Sequence, residues 1–270
     1  MNNIGKKYLD IQYVDTLAEG DSPLHFLDPG AKLITTLAFI VGVVSFGKYT
    51  ILGFIPFFLY PVVMISLGGL PVGYLLKKIL LVSPFAVLVG IFNPIMDRGI
   101  LMYIGTVGIS GGWISFVSIL LKFVLTVMAA LILVALTGFP AVCGALRRFG
   151  VPRPLVVQLL FFYRYIFILV REGERMERAR SLRSFGKKGM GFRTFVSIIG
   201  HLLLRSLDRA ERIYLAMRCR GFNGEIRMTQ KAKAGWKDMG FVVGWLAFFV
   251  VFRIHDIPLK IGQLSMEMFK

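Results

Sequence analysis

Acidic residues are scarce in this chain: 15 Asp and Glu stand against 32 Lys and Arg over 270 residues, a formal charge of +17. Charge of either sign is thin, at 17% of residues, while 56% are hydrophobic and the mean hydropathy is +0.71. So little polar surface argues against an ordinary soluble enzyme. Cysteine is nearly absent. Cys143 and Cys219 lie 76 positions apart with no second Cys near either, so they make neither a disulfide framework nor a zinc pair. They read as small packing residues facing a reducing compartment. The first 30 residues show no apolar run behind a basic start and carry Asp10, Asp15, Glu19, Asp21 and Asp28, so no cleavable signal peptide is expected. Also missing is a Gly-x-x-x-x-Gly-Lys-Ser/Thr loop, the backbone cradle for ATP phosphates. His25, His201 and His255 are isolated, and nothing pairs a nucleophile with a base. No catalytic residue, metal ligand set or cofactor is therefore expected.

What is abundant is apolar sequence in long runs. Leu33 to Phe46 and Ile51 to Leu67 flank a polar break, the first extended by Pro29 to Lys32 as a helix entrance, where proline suits the first turn. Ile79 to Ile95, Ser115 to Thr137 and Trp236 to Phe252 make up five expected spans. The glycine-rich stretch Met96 to Ile114 reads as a loop on one membrane face. The expected fold is all-α: a polytopic membrane protein of about five transmembrane helices with two long cytoplasmic helices.

The basic residues are not spread evenly. Twenty of the 32 Lys and Arg, and only 6 of the 15 acids, fall between residues 141 and 235. Short basic loops stay cytoplasmic, which places this segment and Lys77 and Lys78 inside and, over five crossings, the tail after Arg253 outside. The run from Leu155 to Val170 is apolar, but Arg164 in its middle and basic flanks on both sides favour a helix under or partly within the cytoplasmic half of the bilayer. A single domain over 1–270 follows, with transmembrane helices in 1–140, the cytoplasmic segment in 141–235 and the last span and tail in 236–270.

Two helices are expected in the basic segment. Residues 155–183 lack interior proline and end in Ser184, Phe185 and Gly186, a glycine stop; Glu174 with Arg178 and Glu177 with Arg180 suit a solvated helical face. In the second, Phe192, Phe195, Val196, Ile199, Leu203, Leu207, Ala210, Ile213, Tyr214 and Met217 form an apolar stripe about seven turns long, with Arg205, Arg209 and Arg212 on another face and a stop near Gly221. Both helices end with an arginine beside small residues: Ala179, Arg180, Ser181 and Cys219, Arg220, Gly221. A cation near a helix C-terminus is favoured by the helix dipole alone. The alternative is a guanidinium projecting into an acidic pocket of a partner. Spacing by itself leaves both open.

Three segments together, DSPLHFLDPGAKL at 21–33, FYRYIFILVREGERMERARSLRSFG at 162–186 and RAERIYLAMRCRGFNG at 209–224, resemble the transmembrane T component of energy-coupling factor (ECF) transporters, in particular the CbiQ type of cobalt importers. That family carries a pair of Ala-Arg-Gly motifs at the ends of two cytoplasmic coupling helices. Each matching triplet here departs at one small residue and keeps its arginine. The resemblance implies a prokaryotic inner-membrane subunit whose Arg180 and Arg220 dock two cytoplasmic ATPase subunits. It further implies a substrate-binding S component of the CbiM kind, with a small accessory membrane subunit as a further candidate, and metal specificity residing mainly in the S component. A T component for nickel or a vitamin is the near alternative. A basic membrane scaffold that binds anionic lipid or a signalling partner is the alternative of another class; nucleic acid is not an expected partner.

Overall fold

The computed structural model describes residues 13–48, 50–96, 100–104, 107–183, 191–224 and 235–254. They are helical apart from one hairpin: α1 (Pro29–Val44), two 3-10 turns (Leu52–Phe54 and Pro56–Phe58) running into α2 (Leu59–Gly68), α3 (Val72–Gly90), α4 (Phe92–Met96), β1 (Ile100–Ile104), β2 (Val107–Ser110), α5 (Gly111–Thr137), α6 (Phe139–Arg148), α7 (Arg153–Arg183), α8 (Phe192–Cys219) and α9 (Trp236–Ile254). The chain divides into two compact units, Leu17–Gly138 with Ala232–Lys270, and Met1–Thr16 with Phe139–Lys231.

In the first unit α5 is the hub. It packs on α1, α2, α3 and α4, and α9 packs on α1. The core is aromatic: Phe39 of α1 lies 4.7 Å from Tyr60 and 5.5 Å from Phe249, and Tyr60 meets Trp245 edge-on at 4.9 Å. Offset and edge contacts of this kind add about 0.5–1.5 kcal/mol per pair beyond area burial. Small residues bring helices close. A Cβ on Gly90 would fall 2.8 Å from the Phe116 ring, so α3 and α5 approach only where the side chain is a hydrogen.

Past Lys77 and Lys78, the outer surface of α3 is mostly apolar. Leu80, Leu81 and Phe85 are each more than 70% exposed, as befits side chains facing lipid. Val72–Ile95, α5 and α7 are long and apolar enough to cross a bilayer, while α1 and Leu52–Gly68 are shorter apolar helices. A span needs about 20 residues on average. The chain is a polytopic membrane protein.

Cations close the far end of α1. Lys122 Nζ donates to the Phe46 carbonyl at 2.6 Å, and Arg253 Nη2 donates to the Ser45 carbonyl at 3.1 Å with its guanidinium 4.7 Å from the Phe46 ring centre. These carbonyls lie just past the last turn of α1, where the helix dipole is negative.

The structure redraws several boundaries. The third span begins at Val72, so Lys77 and Lys78 lie inside it, Lys78 over the Tyr74 ring. The expected loop from Met96 holds a short antiparallel hairpin, Ile100 opposite Ser110 and Ile104 opposite Val107. Its strands are rich in β-branched and large apolar residues and flank a Gly-Thr pair, a tight-hairpin spacing that the glycine content obscured. The separate helix α6 was not foreseen. It ends at Gly150, φ +88°, with Val151 N–H bonded to the Leu146 carbonyl.

Candidate functional site

In the second unit α7 packs on α6 and α8. Proline at 154 sits in the first turn of α7, where its missing N–H costs nothing, and the helix then runs unbroken through Gly173 to Arg183. At 31 residues it is about 46 Å long. Tyr163 hydrogen-bonds Asp15 and stacks on Phe139 at 4.8 Å, which ties residues 13–16 to α7. Ala179 and Ser181 are exposed and Arg180 is half-buried. Ser181 does not end the helix. Its hydroxyl donates to the Arg178 carbonyl at 2.7 Å, one turn back, and the helix continues for two more residues. Arg180 therefore projects from the side of the last turn. The glycine stop at Gly186 lies outside the described residues.

The end of α8 is built differently. Gly221 takes φ +76°, its N–H bonds the Arg218 carbonyl at 3.0 Å, and the Phe222 N–H bonds the Met217 carbonyl at 3.0 Å. This is the paired-bond glycine cap, accompanied by its usual apolar contact, since Phe222 and Met217 line one groove. Glycine is required at 221 because a Cβ is disfavoured at that φ. The cap turns the chain sharply away and leaves Cys219, Arg220 and Gly221 all exposed at the tip. Gly191 precedes the helix and Cys219 closes it, 28 residues or about 42 Å.

Between α7 and α8 runs a groove of about 680 Å³, walled by Phe161, Tyr165 and Leu169 on one side and Leu207, Ile213 and Met217 on the other. No residue of α8 is buried, so its apolar stripe is largely uncovered. Arg205, Arg209 and Arg212 were expected on a separate face, yet they also line this groove. All three are exposed. Arg205 pairs with Glu172 of α7, and Glu172 also pairs with Arg175 at 3.9 Å.

A second polar cluster, in the first unit, escaped the sequence reading. Asp28 caps α1, its Oδ2 accepting the Gly30 N–H at 2.9 Å with Pro29 in the first turn. The Asp28 N–H donates to Asp238 Oδ1 at 2.8 Å, and Asp238 Oδ2 accepts the Gly235 N–H at 2.7 Å at the start of α9. Lys32, only 1% exposed, donates to the Leu136 carbonyl at 2.9 Å and the His25 carbonyl at 3.3 Å. Asp238 and Asp28 supply opposite charges that offset part of the cost of its burial. His25 is itself structural, bonded to Ser22 Oγ at 2.6 Å and to the Leu17 carbonyl at 2.9 Å. Only the Asp-Pro pair ahead of an apolar run signalled a cap; the partners lie 104 and 210 positions away.

The family model described as cobalt transport protein CbiQ matches residues 20–231. An uncharacterized protein of Methanocaldococcus jannaschii is 28% identical over 82% of this chain and 78% of its own length. The energy-coupling factor transporter transmembrane protein EcfT of Bacillus subtilis is 25% identical over 87% of this chain and 94% of its own. The cobalt transport protein CbiQ of Rhodobacter capsulatus is 34% identical, over 34% of this chain and 38% of its own.

Proposed function

The chain belongs to the CbiQ family of cobalt transport proteins, and from that membership we propose that it is the transmembrane coupling subunit of an ATP-driven ECF importer of cobalt. Arg180 and Arg220 each dock one of two cytoplasmic ATPase subunits, with Ala179, Ser181, Cys219 and Gly221 as the small neighbours that let a partner surface approach. The observation that carries the reading is the tip of α8: a glycine cap forces the chain aside and leaves Arg220 exposed at the end of a long helix. A planar guanidinium so placed suits bidentate bonding to a carboxylate.

In this reading ATP binding draws the ATPases together, α7 and α8 carry the motion, and the membrane helices respond so that an S component of the CbiM kind reorients. A small accessory membrane subunit completes the assembly. The coupling helices lie in the cytoplasm, the side favoured for their basic residues. Arg164 and the basic flanks of α7 support a place at the cytoplasmic face in preference to a full crossing.

Replacing Arg180 and Arg220 together by Ala is expected to strip the ATPases from the purified protein and abolish Co2+ uptake while membrane insertion stays normal. Arg to Lys at both positions weakens docking as well, because an ammonium cannot bond two carboxylate oxygens in one plane. Wild-type ATPase yield together with wild-type uptake in the double Ala variant would refute the docking role.

The two named relatives differ in coverage. The EcfT relative aligns along nearly its whole length, whereas the CbiQ relative aligns over about a third. The longer match is thus to a protein whose name carries no cobalt, and a T component serving nickel or a vitamin S component is the second reading. Identifying the membrane subunit that co-purifies, and comparing Co2+ with Ni2+ uptake, separates the two.

A further inference from the structure

The chain passes between its two units at three places: after Thr16, after Gly138 and after Lys231. Each crossing lies close in sequence to the buried cluster around Lys32. Leu17 follows the first, and its carbonyl is held by His25, whose own carbonyl is bonded by Lys32. Leu136 precedes the second by two residues, and its carbonyl is bonded by the same ammonium. Past the third, Gly235 and Asp238 open α9, and Asp238 is held by the Asp28 N–H. All of these bonds lie within one unit, and they gather the starts of α1 and α9 and the end of α5. Gly138, φ +75° and buried, lets the chain turn out of α5 directly after the Lys32 bond.

We infer that this cluster is the force-bearing junction of the chain, with Lys32, Asp28 and Asp238 acting as positioning residues that make α1, α5 and α9 respond together when the coupling unit moves. The inference rests on the coupling role proposed above. Its physical basis is stiffness. A pull arriving at Gly138 meets, two residues back, the bond by which Lys32 joins α1 to α5, and the Leu17–His25 and Asp28–Asp238 bonds lie near the other two connections in sequence. The far ends of α1 and α9 are joined as well, through Arg253 and Ser45, and α5 is held there by Lys122. Packed elements with such fixed ends move as a body.

The test uses the whole transporter, with its ATPases and S component, reconstituted in vesicles, and follows radioactive Co2+ uptake per ATP hydrolysed. Lys32→Met and Asp238→Asn are expected to retain the ATPases at wild-type stoichiometry and to hydrolyse ATP, but to lose at least tenfold in uptake per ATP. Lys32→Arg, which keeps charge and donors, restores most of it. A Gly-Gly insertion between Gly138 and Phe139 leaves every bond of the cluster intact and is expected to uncouple to the same degree, whereas the same insertion after Gly105 does not. The insertion decides the matter should Lys32→Met not fold. Wild-type uptake per ATP in the Gly138 insertion, or in a folded Lys32→Met, overturns the junction. A wild-type chain that brings down no ATPase overturns the coupling role and, with it, the junction, and is seen before any variant is made.

Discussion

The two cysteines illustrate how the same residue type takes different chemistry from its surroundings. Cys143 is buried in α6, and desolvation holds its thiol above the ordinary value, so less thiolate is present at any given pH. Cys219 is exposed at the tip of α8, next to Arg220. A maleimide at neutral pH is therefore expected to modify one thiol per folded chain and two after unfolding, and Cys219→Ser to abolish the native reaction. Mass analysis of the labelled peptides checks this; native labelling at Cys143 contradicts the burial. If Arg220 docks an ATPase, the bound subunit also shields Cys219 from the reagent. Both arginines were legible in the sequence because helix ends and small residues leave local signals. The difference between them was not. Ser181 looks like a relaxed glycine in the triplet, yet only the course of α7 to Arg183 puts Arg180 on a helix flank, while Gly221 puts Arg220 at a true terminus.

At the scale of elements, periodicity served well wherever a helix stands half-exposed. The stripe from Phe192 to Met217 and the stop at Gly221 match α8, and the helix from 155 to 183 matches α7 apart from two residues at its start. Less was legible where packing overrides composition: the hairpin at Ile100–Ser110 hid in a glycine-rich stretch, and α6 hid in a junction. Pairing between helices lay beyond local pattern altogether. The sequence suggested charge pairs along α7 and gave no sign that Glu172 reaches across to Arg205 on α8. Arg205 is well exposed, so the pair is worth little, about 0.2–1 kcal/mol. A double-mutant cycle with Glu172→Gln and Arg205→Gln, read as thermal unfolding in detergent, is expected to give a coupling in that range that shrinks with added salt. A coupling of several kcal/mol would mean that the groove is sealed from solvent.

For the whole molecule, the bonds at the two ends of α1 decide which helix ends share a membrane face. Lys32 and Asp28 bring the start of α1 to the end of α5 and the start of α9; Arg253 brings the ends of α1 and α9 together. With the basic segment inside, a cysteine at Lys48 is expected to react with an impermeant thiol reagent in intact cells, and native Cys219 only in inverted vesicles. The reverse pattern inverts the topology. Composition and hydropathy were enough to establish a basic, polytopic, helical membrane protein with an arginine near the end of each long helix, because bilayer thickness, helical period and glycine caps act over a few residues and mark the sequence where they act. The joining of Leu17, Leu136 and Asp238 around Lys32 required the folded chain. A buried ammonium donates to any carbonyl or carboxylate that packing brings within reach, and nothing in the local sequence names which one.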